Sequence, residues 1–363
     1  MKIGYFLSCE EYDPHELIEQ AVLAEEAGFD ALWISDHFHP WNDEQGESPF
    51  VWGVIGALSH ATKLPVTTAV TCPTMRISPA ITAQAAATAA VLHEGRFRLG
   101  VGSGEALNEH IHGDPWPSAD VRLEMLEEAV EVMRKLWTGE EVNHRGRHYT
   151  VENARIYTLP DEMPQVYVSG FGPKATELAG RIGDGYVTTS PDTDLLQQFR
   201  EVSGGKPAMA GFKAAYAPTE DEGVDHAHRL WANAGLPGEL AQILPSPKHF
   251  EQASTLVTRE QTRDAIVGGP DVDRHVQSFQ PRPGRGRTPD GCVLMSLWWL
   301  LPIAALIVIL WAGWYITAFV LDRRRSQDVA TDRERLDVDP QGPTSIPREQ
   351  QDPDGRDERG PGV

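Results

Sequence analysis

The strand-like run Phe97-Arg98-Leu99-Gly100-Val101, the polar residues 102–117 and the helix-patterned residues 119–137 decide the fold of this chain. In the last of these, Leu123, Leu126, Val130, Met133 and Trp137 fall on one stripe, with Glu127, Glu128 and Glu131 off it. That is the spacing of an amphipathic helix with one buried face. A β-rich run, a loop and an amphipathic helix make one crossover unit of a parallel sheet.

The same unit recurs on both sides. Upstream, residues 2–7 read as a strand, and Asp13-Pro14 opens a helix carrying Leu17, Ala21, Ala24 and Gly28 on one face. Residues 31–35 form a second strand with a helix near 51–62, and residues 65–70 a third, with Pro79 opening an alanine-rich helix to residue 92. Downstream, residues 142–145 and 148–152 suggest a hairpin insert. Strands follow at 165–169, 186–189 and 211–216, with a helix at 174–182 and mostly helical residues at 220–263. Seven strand–helix units predict an α/β chain with a TIM-type (β/α)8 barrel, a fold that uses about 250 residues as one domain.

An eighth strand should follow the helix at 271–279. Instead Pro281-Arg282-Pro283-Gly284-Arg285-Gly286-Arg287 leads through Thr288-Pro289-Asp290 to Gly291, and such a run cannot form a ladder. Residues 297–321 carry no charge and are long enough to cross a hydrocarbon core, which needs about 20 apolar residues. The expected organisation is a barrel over 1–280, a junction over 281–296, a transmembrane helix over 297–321 and a disordered charged tail over 322–363. Arg323-Arg324-Arg325 after the span and the arginines before it pull its orientation in opposite directions. Met295-Ser296-Leu297-Trp298-Trp299 reads like the start of a separate small membrane protein, so two reading frames joined by fusion or frameshift are one explanation.

A net charge of −21, from 53 acidic against 32 basic residues, repels nucleic acid, and no such partner is expected. The three cysteines, Cys9, Cys72 and Cys292, are far apart and suggest neither disulfides nor a zinc site, as suits a cytoplasmic barrel. No signal peptide is expected ahead of the first strand.

Barrel sites gather at the C-terminal ends of the strands. Strand two ends in Ser35-Asp36-His37-Phe38-His39-Pro40-Trp41, which delivers a carboxylate, an imidazole and an indole to the mouth. Strand four runs into Gly102-Ser103-Gly104-Glu105-Ala106-Leu107-Asn108-Glu109, where glycines permit close approach of a flat or phosphorylated ligand and Glu105 is a proton carrier. The spacing is wrong for a dinucleotide fingerprint, so NAD is rejected. Strand five ends in Ser169-Gly170-Phe171-Gly172-Pro173-Lys174, a turn before a helix N-terminus suited to an anion. His37, His39, His110 and His112 lack a clear carboxylate third ligand, and no metal is expected.

These runs, together with residues 95–101 and Gly180-Arg181-Ile182-Gly183-Asp184-Gly185-Tyr186, resemble the luciferase-like flavin and deazaflavin oxidoreductases, most closely the F420-dependent glucose-6-phosphate dehydrogenase group. The resemblance covers residues 1–279. It implies an F420-dependent oxidoreductase that moves hydride between an alcohol or aldose-like substrate and coenzyme F420. The same family also holds monooxygenases that use FMN, and a broken gene would leave an inactive product with a membrane anchor. The partners expected are a small-molecule substrate, the membrane through the uncharged residues 297–321, and, as a possibility, a second copy in a homodimer.

Carried over by position, His37 handles the substrate hydroxyl proton, Glu105 is the second acid/base and Trp41 walls the reacting centre. Asp36 contacts the cofactor, which is also lined by Cys72, Ser103, Gly104, Asn108, Phe171, Gly172, Lys174 and Ala175, with a cis peptide at Ala69-Val70. The substrate positions are Thr189, Asp192 and Gln252. Where the sugar dehydrogenases carry lysines that grip phosphate, this chain has Pro191-Asp192 and Gln252, which argues against glucose 6-phosphate.

Overall fold

The computed structural model describes residues 2–189 and 192–278. Four strands come first: β1 (Gly4–Leu7), β2 (Ala31–Ile34), β3 (Val66–Thr68) and β4 (Phe97–Val101). An antiparallel hairpin, β5 (Val142–Arg145) and β6 (Thr150–Ala154), follows as an insert, and then β7 (Val166–Ser169), β8 (Gly185–Thr188) and β9 (Ala208–Ala210). One parallel sheet runs β1-β2-β3-β4-β7-β8-β9. A short parallel pair, β10 (Ala214–Ala215) with β11 (Val267–Gly268), stands outside it.

Helices make the crossovers: α1 (Pro14–Glu26), α2 (Val51–Ala61), α3 (Pro79–Leu92), the single turn α4 (Ala106–Glu109), α5 (Ala119–Leu136), α6 (Pro173–Ile182) and α7 (Thr193–Ser203). An excursion after β10 carries α8 (Glu220–Trp231), α9 (Leu240–Ile243), α10 (Pro247–Ser254) and α11 (Arg259–Ala265), and α12 (Val272–Ser278) follows β11. The start of α1 shows why these boundaries fall where they do. The Asp13 carboxylate accepts from the N–H groups of His15 and Glu16, Glu16 reaches back to the Asp13 N–H, and Pro14 fills the first turn.

The core lies between the sheet and the helices, where Leu7, Leu32, Ile34, Val66, Leu99, Val166 and Val168 are wholly buried. The other face of the sheet starts from Phe6, Trp33, Thr67 and Arg98, level with one another across four strands. A Cβ on Gly211, just past β9, would come within 2.7 Å of the Trp33 ring. A side chain on β2 therefore touches the far edge of the sheet, so the sheet is curled as in a barrel.

At Gly100 the curl demands glycine, because a Cβ there would lie 1.9 Å from the Thr68 carbonyl oxygen. The two strands are tied at this point by Thr68 Oγ1 donating to the Gly100 carbonyl (2.7 Å) and accepting from its N–H (2.9 Å). Gly100→Ala should destabilise the fold by about 3 kcal/mol, since β3 and β4 must part. Urea unfolding measures it, and a loss within ordinary surface scatter would sink this reading.

Two expectations need correction. The strand expected at 211–216 is split: β9 ends at Ala210, and only Ala214–Ala215 of that run is a strand, paired with β11 rather than with the main sheet. The loop expected over 102–117 contains α4 and a 3-10 turn, His110–His112. Among the described residues β1 and β9 are the two edges of the sheet, and no strand joins them. No helix among the described residues is long and apolar enough to cross a membrane. The junction, the span expected at 297–321 and the charged tail lie outside the described residues.

Candidate active site

The ends of β1, β2, β3 and β4 bring their loops to one rim. His37, three residues past β2, turns Nδ1 toward the His39 carbonyl oxygen at 3.2 Å. With the ring N–H on Nδ1, Nε2 carries the lone pair. That atom lies 3.4 Å from Glu10 Oε1 and 3.5 Å from Glu105 Oε1. The His37 ring meets Trp41 edge-on at 4.9 Å, and Trp41 meets Phe250 of α10 in the same way at 5.0 Å. An imidazole between two carboxylates, walled by aromatic rings, is equipped to take a proton from a hydroxyl and stabilise the cation that results.

Glu10 is 2 % exposed. Ser35 Oγ donates to its Oε2 at 2.6 Å and Ser8 Oγ at 3.0 Å. Burial alone would lift its pKa, but the hydroxyl donors and the charge His37 carries once protonated outweigh burial and hold the carboxyl below its ordinary range. Glu105 is more open and is oriented by Asn108 Nδ2, which donates to its Oε1 at 2.6 Å.

Asn108 is 1 % exposed, and its Oδ1 accepts from the N–H groups of Phe38 and His39 at 2.9 and 3.0 Å. It was expected to line the cofactor. Its side chain ties the His37 loop to the Glu105 loop. Asp36, expected to touch the cofactor, is likewise enclosed: Oδ1 accepts from Arg76 at 2.7 Å and Oδ2 from Thr71 at 2.7 Å. Arg76 also reaches Glu109, donating through its backbone N–H at 2.9 Å and Nε at 3.4 Å. Burial pushes Glu109 up to about 7, with Arg76 opposing and Glu105 and Asp36 adding to the rise.

The Ala69-Val70 peptide is cis, as expected. Val70 lies against Gly102, where a Cβ would come within 2.7 Å of its Cγ2. Gly104 holds φ +72°, and a Cβ there would strike Cys72 Sγ at 2.7 Å. Ser103 precedes it, half-buried. Burial raises the Cys72 thiol, whose Sγ sits 3.0 Å from Thr74 Oγ1. Burial of that kind disfavours the thiolate.

At the next strand end, Phe171 is exposed and α6 starts after Gly172 with no side-chain cap, which leaves first-turn N–H groups near Ala175 for an anion. The Lys174 ammonium pairs with Asp120 at 2.7 Å on the surface. Among the substrate positions, Thr189 and Gln252 are exposed, and the Asp192 carboxylate caps α7 by accepting from the N–H groups of Asp194 and Leu195. None of the three is drawn into the His37 cluster by a hydrogen bond. The loop histidines point to carbonyl oxygens: His39 Nδ1 to Leu107 at 2.8 Å, His110 Nδ1 to Ala106, and His112 Nε2 to Arg76 at 3.3 Å. Among the described residues no group of His, Cys, Asp and Glu is placed to hold a metal.

A shelf of Val70 against glycine, a carboxylate beside an imidazole, and an uncapped helix start suit a flat ring with an anionic tail. Residues 1–278 match the luciferase-like monooxygenases. The chain belongs to the luciferase-like monooxygenase family. Within this family it is 35% identical over 291 residues to the F420-dependent glucose-6-phosphate dehydrogenase of Microbacterium testaceum, covering 76% of this chain and 86% of that one. The enzyme of the same name from Segniliparus rotundus is 37% identical over 295 residues, covering 77% and 88%. Among solved structures, an F420-dependent secondary alcohol dehydrogenase in complex with an F420-acetone adduct superimposes with TM-score 0.72 at 34% identity, over 77% of this chain and 88% of that one. The F420-dependent tetrahydromethanopterin reductase of Methanopyrus kandleri shares the luciferase-like fold, with TM-score 0.58 at 18% identity over 76% and 96%.

Sequence reasoning missed Glu10, Arg76, Glu109 and Phe250. Glu10 had a usable signal, since it stands three residues past β1, at the same rim as the residues that were found. Arg76 and Glu109 had none, because a charged residue looks alike in sequence whether buried or solvated, and Phe250 lies on a helix far along the chain from His37.

Proposed function

We propose that this chain is an F420-dependent oxidoreductase that moves hydride from the carbinol carbon of an alcohol or aldose-like substrate to coenzyme F420. The observation that carries this reading is the His37 Nε2 atom, set between Glu10 and Glu105 and beside Trp41. Coenzyme F420, when bound, supplies a deazaflavin carbon that accepts hydride. Val70, Gly102, Gly104 and the start of α6 would hold it, with Ser103, Phe171 and Lys174 at its edges.

His37 Nε2 takes the hydroxyl proton as the carbinol bond weakens. The imidazolium then faces two carboxylates, and the ionised Glu10 stabilises it. Glu105, aimed by Asn108, is the second proton carrier. Trp41 and Phe250 exclude water from the reacting hydroxyl. Asp192 at the rim disfavours a phosphate, so an uncharged alcohol or sugar suits the site better than glucose 6-phosphate.

Titration with each cofactor separates F420 from FMN. Tryptophan fluorescence should be quenched at micromolar F420, and the oxidised deazaflavin band should fade when an alcohol is added. Tight binding of FMN with no response to F420 would replace this reading by a monooxygenase.

For residues 297–321, the uncharged run supports a single-span membrane anchor for a cytoplasmic catalytic part. Full-length chain that stays in the supernatant after cell fractionation would exclude it.

A further inference from the structure

Next to the His37 cluster stands a second polar group that the proton chemistry does not use. Glu11 follows Glu10 at the end of β1, Lys213 lies past β9, and Trp231 ends α8. Trp231 Nε1 donates to Glu11 Oε1 at 2.7 Å, and the Lys213 ammonium sits 4.6 Å above the Trp231 ring. Ser8 Oγ, which donates to Glu10 at 3.0 Å, is also 3.4 Å from Glu11 Oε1, so the two carboxylates share one hydroxyl. Both β1 and β9 deliver these groups to the rim that carries His37.

Lys213 is exposed to solvent, yet protein atoms crowd it enough that burial lowers its pKa against the pull of Glu10 and Glu11. Glu11 is half-buried and is raised to about 7 by burial, opposed by the Trp231 hydrogen bond and increased by Glu10. Both side chains are thus reached by water while packed among protein atoms, and both are fixed on one indole. The groups facing Glu11 are Glu10 on its own loop, Tyr5 on β1 and Lys213 from across the sheet. An ammonium donor and a carboxylate acceptor held on the same indole match a hydroxyl, which accepts from one and donates to the other. One cation against the ionised Glu10 and a partly ionised Glu11 does not favour an anionic ligand.

We propose that Lys213 and Glu11, mounted on Trp231, bind a second, uncharged hydroxyl of the substrate, so that the site selects neutral diols and sugar-like polyols over simple alcohols. This rests on the alcohol-oxidising reading above. Recognition of that oxygen by a charged donor should favour the diol by at least about tenfold.

The test compares propane-1,2-diol with propan-2-ol on the full chain with F420, since the two differ by one oxygen. Wild type should prefer the diol by at least tenfold in kcat/KM. In Lys213→Met and Glu11→Gln the ratio should collapse toward one through a higher KM for the diol, and Lys213→Arg should recover part of it. Tryptophan emission without F420 is the second readout: the diol should give a saturable change that is lost in Lys213→Met and Trp231→Phe. Equal use of both alcohols by wild type, a variant that lowers both alike, or an emission change that survives Lys213→Met overturns the proposal. A saturable emission change with no F420 reduction by any alcohol would instead remove the oxidoreductase reading and leave the hydroxyl site standing.

Discussion

Replacing His37 by alanine is expected to lower kcat for alcohol oxidation by about a thousandfold, the usual yield of a positioned general base. The reason is geometric. Glu10 and Glu105 both converge on Nε2, and neither replaces it: Glu10 is 2 % exposed and occupied by Ser35 and Ser8, and Glu105 is held by Asn108. Removing the ring leaves two carboxylates facing one another across the space it filled. Added imidazole should restore part of the rate, because the cavity and its carboxylates remain. F420 should still quench tryptophan fluorescence in the variant. A fall of less than tenfold in kcat would show that another group takes the proton.

Arg76→Met should cost about 3–5 kcal/mol of stability, because it strands buried carboxylates without their cation. Arg76 ties Asp36 on the β2 loop to Glu109 on α4, and the side chains of all three are almost wholly buried. The loss should depend on pH in a defined direction. Glu109 titrates near 7 in the folded chain against 4.5 when free, so the fold favours its neutral form. The stability this gives is full below about 4.5 and fades as pH rises through 7, by about 3 kcal/mol in all. Without Arg76 the carboxyl gives up its proton still less readily. The variant's deficit should therefore be smaller at pH 5.5, where Glu109 is neutral, than at pH 8, where it must ionise unpaired. Urea midpoints at the two pH values decide it, and equal deficits would mean that Glu109 is not the group left uncompensated.

The fold was legible where two signals coincided. Asp13-Pro14 marked the start of α1 and the Leu126–Val130–Met133 stripe marked α5, since capping chemistry and one-sided burial are both local. The strand at 208–210 was misplaced because Ala208-Met209-Ala210 carries neither β-branched nor aromatic residues. Its place is set by the neighbouring β8, through the pairs Tyr186 with Ala208 and Val187 with Met209. In the site, the meeting of His37, Trp41 and Glu105 at one rim was legible from their position after strands. What could not be seen was which polar side chains face a ligand and which are spent within the protein. Asp36 and Asn108, expected at the cofactor, also tie loops to one another, a role that nothing in the sequence marks.

The excursion after β10 is fastened to the rim at several points. Asn42 Nδ2 and Gln45 Nε2 donate to the Leu230 carbonyl oxygen, the Asp43 N–H donates to Glu251, Arg229 pairs with Glu44, and Trp231 holds Glu11. The polar contacts around His37 thus come from the first four strand ends and this cap, while among the described residues the edges of the sheet lie at β1 and β9. Damage to the sheet edge and damage to the rim should therefore leave different signatures in a purified sample. Changes along the edge alter what fraction of molecules is folded, whereas changes at the rim alter the turnover of each folded molecule. Counting competent sites separately from total protein would tell the two apart in any variant of this chain.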